Sequence, residues 1–193
     1  MIIYVVRHTQ VAVGKDTCYG QSNPPLADTF AAEAAHLYAT LPNNFEIVFS
    51  SPLLRCVALA EALVQSNNTA HRLSLSDIHV KSELMEMDFG DWEGQKWNDL
   101  NQEDLNAWMQ DFVYMQVPNG ENLVAVAERV NRFLDDLRQA QHQKVLIVTH
   151  AGVIRCISAY FLQIPLQDIF KTSVQYGDVF IFDTRLNSCQ VLR

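Results

Sequence analysis

Two kinds of hydrophobic patterning alternate along the chain. Residues 2–6, Ile-Ile-Tyr-Val-Val, are continuously apolar and rich in β-branched side chains, the pattern of a strand covered on both faces. Runs at 46–50 and 144–149 predict two more such strands, and 78–82 a shorter one. Helical stretches lie between them. One is Ala-rich, over about 28–41, and ends at Pro42 and Asn43-Asn44. A second, 53–65, is opened by Pro52 and broken at Ser66-Asn67-Asn68; a third covers 151–162. The clearest periodicity runs over 122–141. There Leu123, Val126, Val130, Phe133 and Leu137 recur at steps of three and four, with Arg129, Arg132 and Asp136 off the apolar stripe. Residues 179–183 and 189–192 predict a closing antiparallel pair, turned at Leu186-Asn187-Ser188.

Strands alternating with helices predict an α/β fold: a mostly parallel central sheet flanked by helices on both faces. Residues 9–26 read as a loop punctuated by Gly14, Gly20, Pro24 and Pro25. Residues 84–118 carry Gly90, Gly94 and only a short helix near 102–112, which suits a small lid inserted into one domain over 1–193.

Composition narrows the function classes. Apolar residues make up 49% of the chain and charged residues 19%, ordinary for a globular protein. No run reaches the roughly 18 apolar residues of a membrane span, and the N-terminal run lacks a basic leader. A cytoplasmic location is expected. Cys18, Cys56, Cys156 and Cys189 are scattered, which suits free thiols and no zinc site. The net charge of −8 argues against a nucleic-acid or anionic-membrane partner, while leaving room for a locally basic cleft. Oligomeric state is left open.

In open α/β sheets, ligands gather beyond the C-terminal ends of strands. Arg7-His8-Thr9 stands at the first such end, and Ser50-Ser51-Pro52 with Arg55 at the second. The stretch 83–86 stands at the third, and Thr149-His150-Ala151-Gly152 at the fourth. Singly, each is ordinary: a histidine capping a strand, an arginine on a solvated helical turn. Together they suit a phosphate monoester. Guanidinium groups bind its oxygens in bidentate fashion, and helix starts after Pro52 and Gly152 add aligned N–H donors. A neutral histidine whose other ring nitrogen donates to a carbonyl can attack phosphorus. A carboxylic acid can protonate the leaving oxygen and later deprotonate water.

Six ordered motifs now resemble the histidine phosphatase superfamily, the phosphoglycerate-mutase-like branch. They are Arg7-His8-Thr9; Tyr19-Gly20 with Pro25-Leu26; Ser51-Pro52-Leu53-Leu54-Arg55; Glu86 four residues before Gly90, with Trp92-Glu93-Gly94; Gly120-Glu121-Asn122; and His150-Ala151-Gly152. The resemblance implies that His8 is the phosphohistidine nucleophile. Arg7, Arg55 and the catalytic His150 would bind phosphate, and Glu86 would serve as acid and then base. Glu83 is the rival carboxylate, but Glu86 has the family's spacing to Gly90. Thr9, Gln10, Val11 and Gly14 depart from the usual pattern, so some secondary phosphate contacts are expected to be rebuilt.

Within the superfamily, the block 7–30, with Cys18-Tyr19-Gly20-Gln21 and Phe30, most resembles alpha-ribazole phosphatases. These act in assembly of the nucleotide loop of cobalamin. The implied activity is hydrolysis of a small phosphate ester with no metal and no cofactor, arginine and histidine supplying the positive charge. The rivals are a broad sugar-phosphate phosphatase, a mutase-type phosphotransferase and an inactive binding protein. Phe89, Trp92, Trp97, Trp108 and Tyr114 either pack the lid or stack on a substrate base. Tyr19, Gln21 and Asn23 are candidates for substrate selection. Arg155 reads as surface charge, and His36, His71, His79 and His142 as surface residues.

Overall fold

The computed structural model describes residues 1–65 and 73–192. The predicted break at Ser66-Asn67-Asn68, and His71, lie outside the described residues. In chain order the elements are β1 (Ile2–Arg7), α1 (Phe30–Thr40), β2 (Ile47–Ser50), α2 (Leu54–Gln65), β3 (Ile78–Val80), α3 (Gln102–Gln110), α4 (Leu123–Gln139), β4 (Lys144–Thr149), α5 (Ala151–Leu162), β5 (Val179–Asp183) and β6 (Ser188–Leu192), with short 3-10 turns between several of them.

The strands form one sheet in the order β3-β2-β4-β1-β5-β6. The first four pair in parallel. β5 runs antiparallel to β1, and β6 antiparallel to β5. The sheet is therefore mixed, with a parallel centre and its antiparallel pair at one side.

Alternation along the strands explains their unbroken apolar runs. Ile3 and Val5 of β1, with Val145 and Ile147 of β4, face Val130 and Phe133 of α4 and Ile154 and Ile157 of α5. Their neighbours Val6, Leu146 and Val148 face the other way, against Leu37 of α1 and Leu59 and Leu63 of α2. With both faces covered, the central positions of these strands are apolar on either side, and polar residues stand only at their ends. Each such buried aliphatic side chain contributes about 1.5–3 kcal/mol.

Helix α4 starts where Asn122 accepts the Ala125 N–H at 2.9 Å. Its predicted stripe, Leu123, Val126, Val130, Phe133 and Leu137, is buried throughout. The segment 84–118 is anchored to this side of the sheet, since Trp92, Leu100, Val113 and Val117 join the core that contains α4. Tyr114, by contrast, is 71% exposed and stands apart from the aromatic residues around it. Among the described residues, no helix is long and apolar enough to cross a membrane.

Candidate active site

The C-terminal end of β1 and the start of α2 open onto a cleft of about 340 Å³ whose walls include Arg7, His8, Tyr19, Arg55, Glu86 and Tyr176; His150, at the end of β4, is not among its lining residues. His8 is 2% exposed. Its Nδ1 lies 2.7 Å from the Thr9 carbonyl oxygen. A carbonyl only accepts, so Nδ1 carries the proton and Nε2 the lone pair. Burial holds the His8 pKa well below 6.5; the Arg55 and Arg7 charges add to this and outweigh the opposing Thr9 hydrogen bond. The ring is thus neutral near pH 7, with its lone pair on Nε2, where it accepts a hydrogen bond from Arg55.

Arg55 is buried to the same degree as the core around it. Its Nε–H donates to His8 Nε2 at 3.2 Å, Nη1 to the Ser22 carbonyl at 2.8 Å and Nη2 to the Gly20 carbonyl at 2.7 Å. Arg7 donates from Nη1 to the Val174 carbonyl at 2.9 Å. Each guanidinium also faces a tyrosine ring: Arg7 lies 3.9 Å from the Tyr176 centroid and Arg55 5.2 Å from that of Tyr19. The two tyrosine hydroxyls are hydrogen-bonded to each other. Arg7 Nε and Thr9 Oγ1, on the residues either side of His8, are buried without a partner. Buried polar atoms are nearly always paired; Arg7 lines the cleft, so its Nε–H is a donor at the site that no protein group uses.

His150 is fully buried at the start of α5. Its Nε2 lies 2.7 Å from Ser51 Oγ, and its ring centroid 5.1 Å from that of His8. Burial lowers its pKa well below 6.5, and the Arg55 charge and His8 push the same way.

Glu86 enters the cleft from the third strand end. Its Oε2 accepts the Gly152 N–H at 3.1 Å, at the first turn of α5, and its Oε1 accepts the Met87 N–H at 3.0 Å. The carboxylate sits so close to α5 that a Cβ on Gly152 would lie 2.3 Å from Oε1. The Gly of the His-Ala-Gly motif is therefore the space in which Glu86 rests. Glu83 is not among the cleft-lining residues; its backbone carbonyl accepts from Arg129 at 2.7 Å.

Several supporting residues escaped the sequence reading. Arg129, off the apolar stripe of α4, is not a solvated charge. It pairs with Glu121 at 2.9 Å and donates to the carbonyls of Glu83, Met85 and Glu86, which fixes the backbone that carries Glu86. Glu93 accepts from the N–H groups of Gln21, Ser22 and Phe89 and from the Ser22 hydroxyl. It clamps the 20–22 loop, whose carbonyls hold Arg55. Burial opposes the Glu93 charge, but these hydrogen bonds prevail and lower its pKa. The signal for both residues was present in the Glu121 and Glu93 motif positions, without a role attached. Residues 174–176 had no motif at all.

Three further expectations change in detail. Arg155 is half-buried rather than solvated: it donates to the Thr172 carbonyl at 3.1 Å and its guanidinium lies 5.2 Å from the Phe170 ring centroid. Gln21 is tied to the Glu86 carbonyl by its side chain, and Asn23 accepts the Leu54 N–H at 2.8 Å. Both therefore brace the loop. Of the described histidines outside the site, His36 and His79 are exposed, while His142 is partly covered beside Glu46.

Comparisons with known proteins give the family and the fold. Residues 3–193 match the Histidine phosphatase superfamily (branch 1). The chain is 33% identical, over 187 residues, to an adenosylcobalamin/alpha-ribazole phosphatase of Escherichia coli K12, covering 92% of this chain and 87% of that one. It superposes with a TM-score of 0.83 on the crystal structure of the alpha-ribazole phosphatase from Shigella flexneri, at 28% identity, over 100% of this chain and 95% of that one. The fold is also shared with a mycobacterial glucosyl-3-phosphoglycerate phosphatase, at a TM-score of 0.81 and 21% identity, over 94% and 92% of the two chains. The chain belongs to branch 1 of the histidine phosphatase superfamily and is a phosphatase of small phosphate esters.

Proposed function

We propose that the chain hydrolyses alpha-ribazole 5′-phosphate, or the corresponding cobamide phosphate, through a phosphohistidine on His8. The observation that carries the mechanism is the 2.7 Å contact of His8 Nδ1 with the Thr9 carbonyl, which keeps the proton on Nδ1 and leaves on Nε2 the lone pair that attacks once the Arg55 Nε–H turns from it to the phosphoryl group. The substrate reading rests on the two alpha-ribazole phosphatase relatives, which align over most of both chains.

Nε2 of His8 attacks phosphorus, and the bond from phosphorus to the alcohol oxygen breaks. Arg7, Arg55 and His150 hold the phosphoryl oxygens, and the guanidinium charges oppose the negative charge gathering there. Glu86, protonated at this stage, gives its proton to the departing alcohol oxygen. The resulting carboxylate then takes a proton from water. That water attacks the phosphohistidine, the P–N bond breaks, and inorganic phosphate leaves with His8 neutral again.

On this reading residues 1–193 act as one domain, with 84–118 as a lid beside the cleft. The four free cysteines, three of them buried, fit a reducing cytoplasm. Fixed guanidinium groups perform the charge work that a metal does elsewhere, so activity is expected to survive a chelator.

The test is a steady-state panel of alpha-ribazole 5′-phosphate, ribose 5-phosphate, phosphoglycerates and nucleotides, assayed for released phosphate without a bisphosphate activator. The highest kcat/KM is expected for alpha-ribazole 5′-phosphate. Equal or higher values for phosphoglycerates or simple sugar phosphates overturn the substrate reading. A strict need for a bisphosphate activator overturns hydrolysis.

A further inference from the structure

A second concavity, of about 520 Å³, adjoins the phosphate cleft. Its walls include Phe89, Trp97, Leu105, Trp108, Phe112 and Phe170. Phe89 and Trp97 also line the phosphate cleft, so the two spaces share a wall. A smaller pocket of about 90 Å³ joins Glu86 and Gly152 to Phe89, Trp108, Phe112 and Phe170. The path from the carboxylate that faces the leaving oxygen thus runs directly into aromatic surface.

Three features make this more than lid packing. Trp92 is 5% exposed and belongs to the main core, whereas Phe89, Trp97, Trp108 and Phe112 pack against that core but are only partly buried. Phe170 and Met109, by contrast, leave 55% and 62% of their surface exposed at the groove. Phe170 is also held in place, its ring 4.8 Å from that of Phe112 and under the Arg155 guanidinium. Finally, Trp108 lines both the groove and the joining pocket, and its Nε1–H is buried without an acceptor in the protein. An indole N–H can only donate, so a partner that satisfies it must bring an acceptor.

We propose that this groove binds the flat aromatic base carried by the leaving alcohol, with Trp108 Nε1–H donating to an acceptor on that base. The proposal rests on the reading of the substrate as an aromatic riboside phosphate and names the residues that would select it. Phosphate and sugar are common to many esters. Aromatic walls favour a planar apolar ring over a bare sugar, so the groove separates alpha-ribazole phosphate from ribose 5-phosphate at a distance from the chemistry.

The test is calorimetric titration of wild type, Phe170→Ala and Trp108→Phe with alpha-ribazole itself, which has no phosphate, and with ribose as control. Thermal melting of each variant reports folding, and the two variants are independent in case one fails. Alpha-ribazole is expected to bind wild type while ribose gives no heat. Phe170→Ala is expected to weaken binding about tenfold, in keeping with loss of an aromatic contact to the base. Trp108→Phe keeps a ring and loses the donor, and is expected to weaken binding about fivefold. Alpha-ribazole binding no better than ribose, or binding unchanged in both folded variants, overturns the proposal. The two readings fail separately. If wild type prefers alpha-ribazole 5′-phosphate and both variants keep that preference, the substrate stands and the groove falls. If alpha-ribazole binds through these residues but its phosphate is a poor substrate, the groove stands and the substrate falls.

Discussion

Arg55 donates its Nε–H to Nε2 of His8, the nitrogen that bears the lone pair, while its other two nitrogens are committed to the Ser22 and Gly20 carbonyls. One buried guanidinium thus orients the nucleophile, lowers its pKa and ties the 20–22 loop to the cleft. A lysine keeps the charge but not the three-way geometry. Arg55→Lys is expected to lower kcat/KM about 100-fold or more, measured by steady-state phosphate release. A loss under about threefold contradicts this account of Arg55.

Glu86 and Gly152 form the second such relationship, because the carboxylate occupies the space a side chain on Gly152 would fill. Gly152→Ala is expected to displace Glu86 and cost about 100-fold in kcat/KM on an alkyl phosphate, as small misplacements of reacting groups do. The loss should be much smaller on p-nitrophenyl phosphate, whose leaving group needs little protonation. Glu86→Gln should show the same contrast. Equal losses on both esters would assign the damage to folding or phosphate binding instead.

The strands and helices were readable because their runs answer to burial alone. Ile3 and Val5 face one layer and Val6 the other, so an unbroken apolar run was the only pattern available. The strand-end search found Arg7, His8, Arg55, Glu86 and His150, since parallel strands deliver their C-termini to one edge. That search was blind to residues 174–176. β5 runs antiparallel to β1, so the loop entering it, not the one leaving it, lies at the site edge. Tyr176 and the Val174 carbonyl reach Arg7 from that side. Their signal in the sequence is the antiparallel closing pair, which brings the loop entering β5 to the site edge. Arg129 was missed for another reason. Helical periodicity marks it as off the apolar stripe, but says nothing about the orphan carbonyls it was placed to satisfy.

Two neutral buried histidines impose a pH dependence on stability. Burial first, then the Arg55 charge, lowers the pKa values of both His8 and His150 below the 6.5 of a free side chain. Below about pH 6.5 the unfolded chain therefore takes up protons that the folded chain does not, and stability falls with pH. Above that value neither state is protonated and the effect vanishes. Thermal melting between pH 7.5 and pH 5 is expected to show a falling Tm, with a shallower slope in His8→Gln. A flat profile, or one that rises on acidification, contradicts neutral buried rings.

Arg129 is expected to matter for both stability and catalysis. Its side chain is 12% exposed and that of Glu121 24%. Arg129→Met removes the pair and orphans carbonyls at residues 83, 85 and 86. A loss of about 3 kcal/mol in urea unfolding is expected, with a fall in kcat as the backbone of Glu86 loosens. Unchanged stability would mean that water replaces the guanidinium at little cost.

In the proposed mechanism Nε2 of His8 carries the phosphoryl group between the two half-reactions. Rapid mixing with ³²P-labelled substrate, quenched in alkali within the first turnover, tests it directly. A phosphoenzyme is expected that survives alkali, is lost in acid, maps to the peptide containing His8 and is absent from His8→Ala. Label on another residue, or a His8→Ala variant that releases phosphate at the wild-type rate, would contradict it.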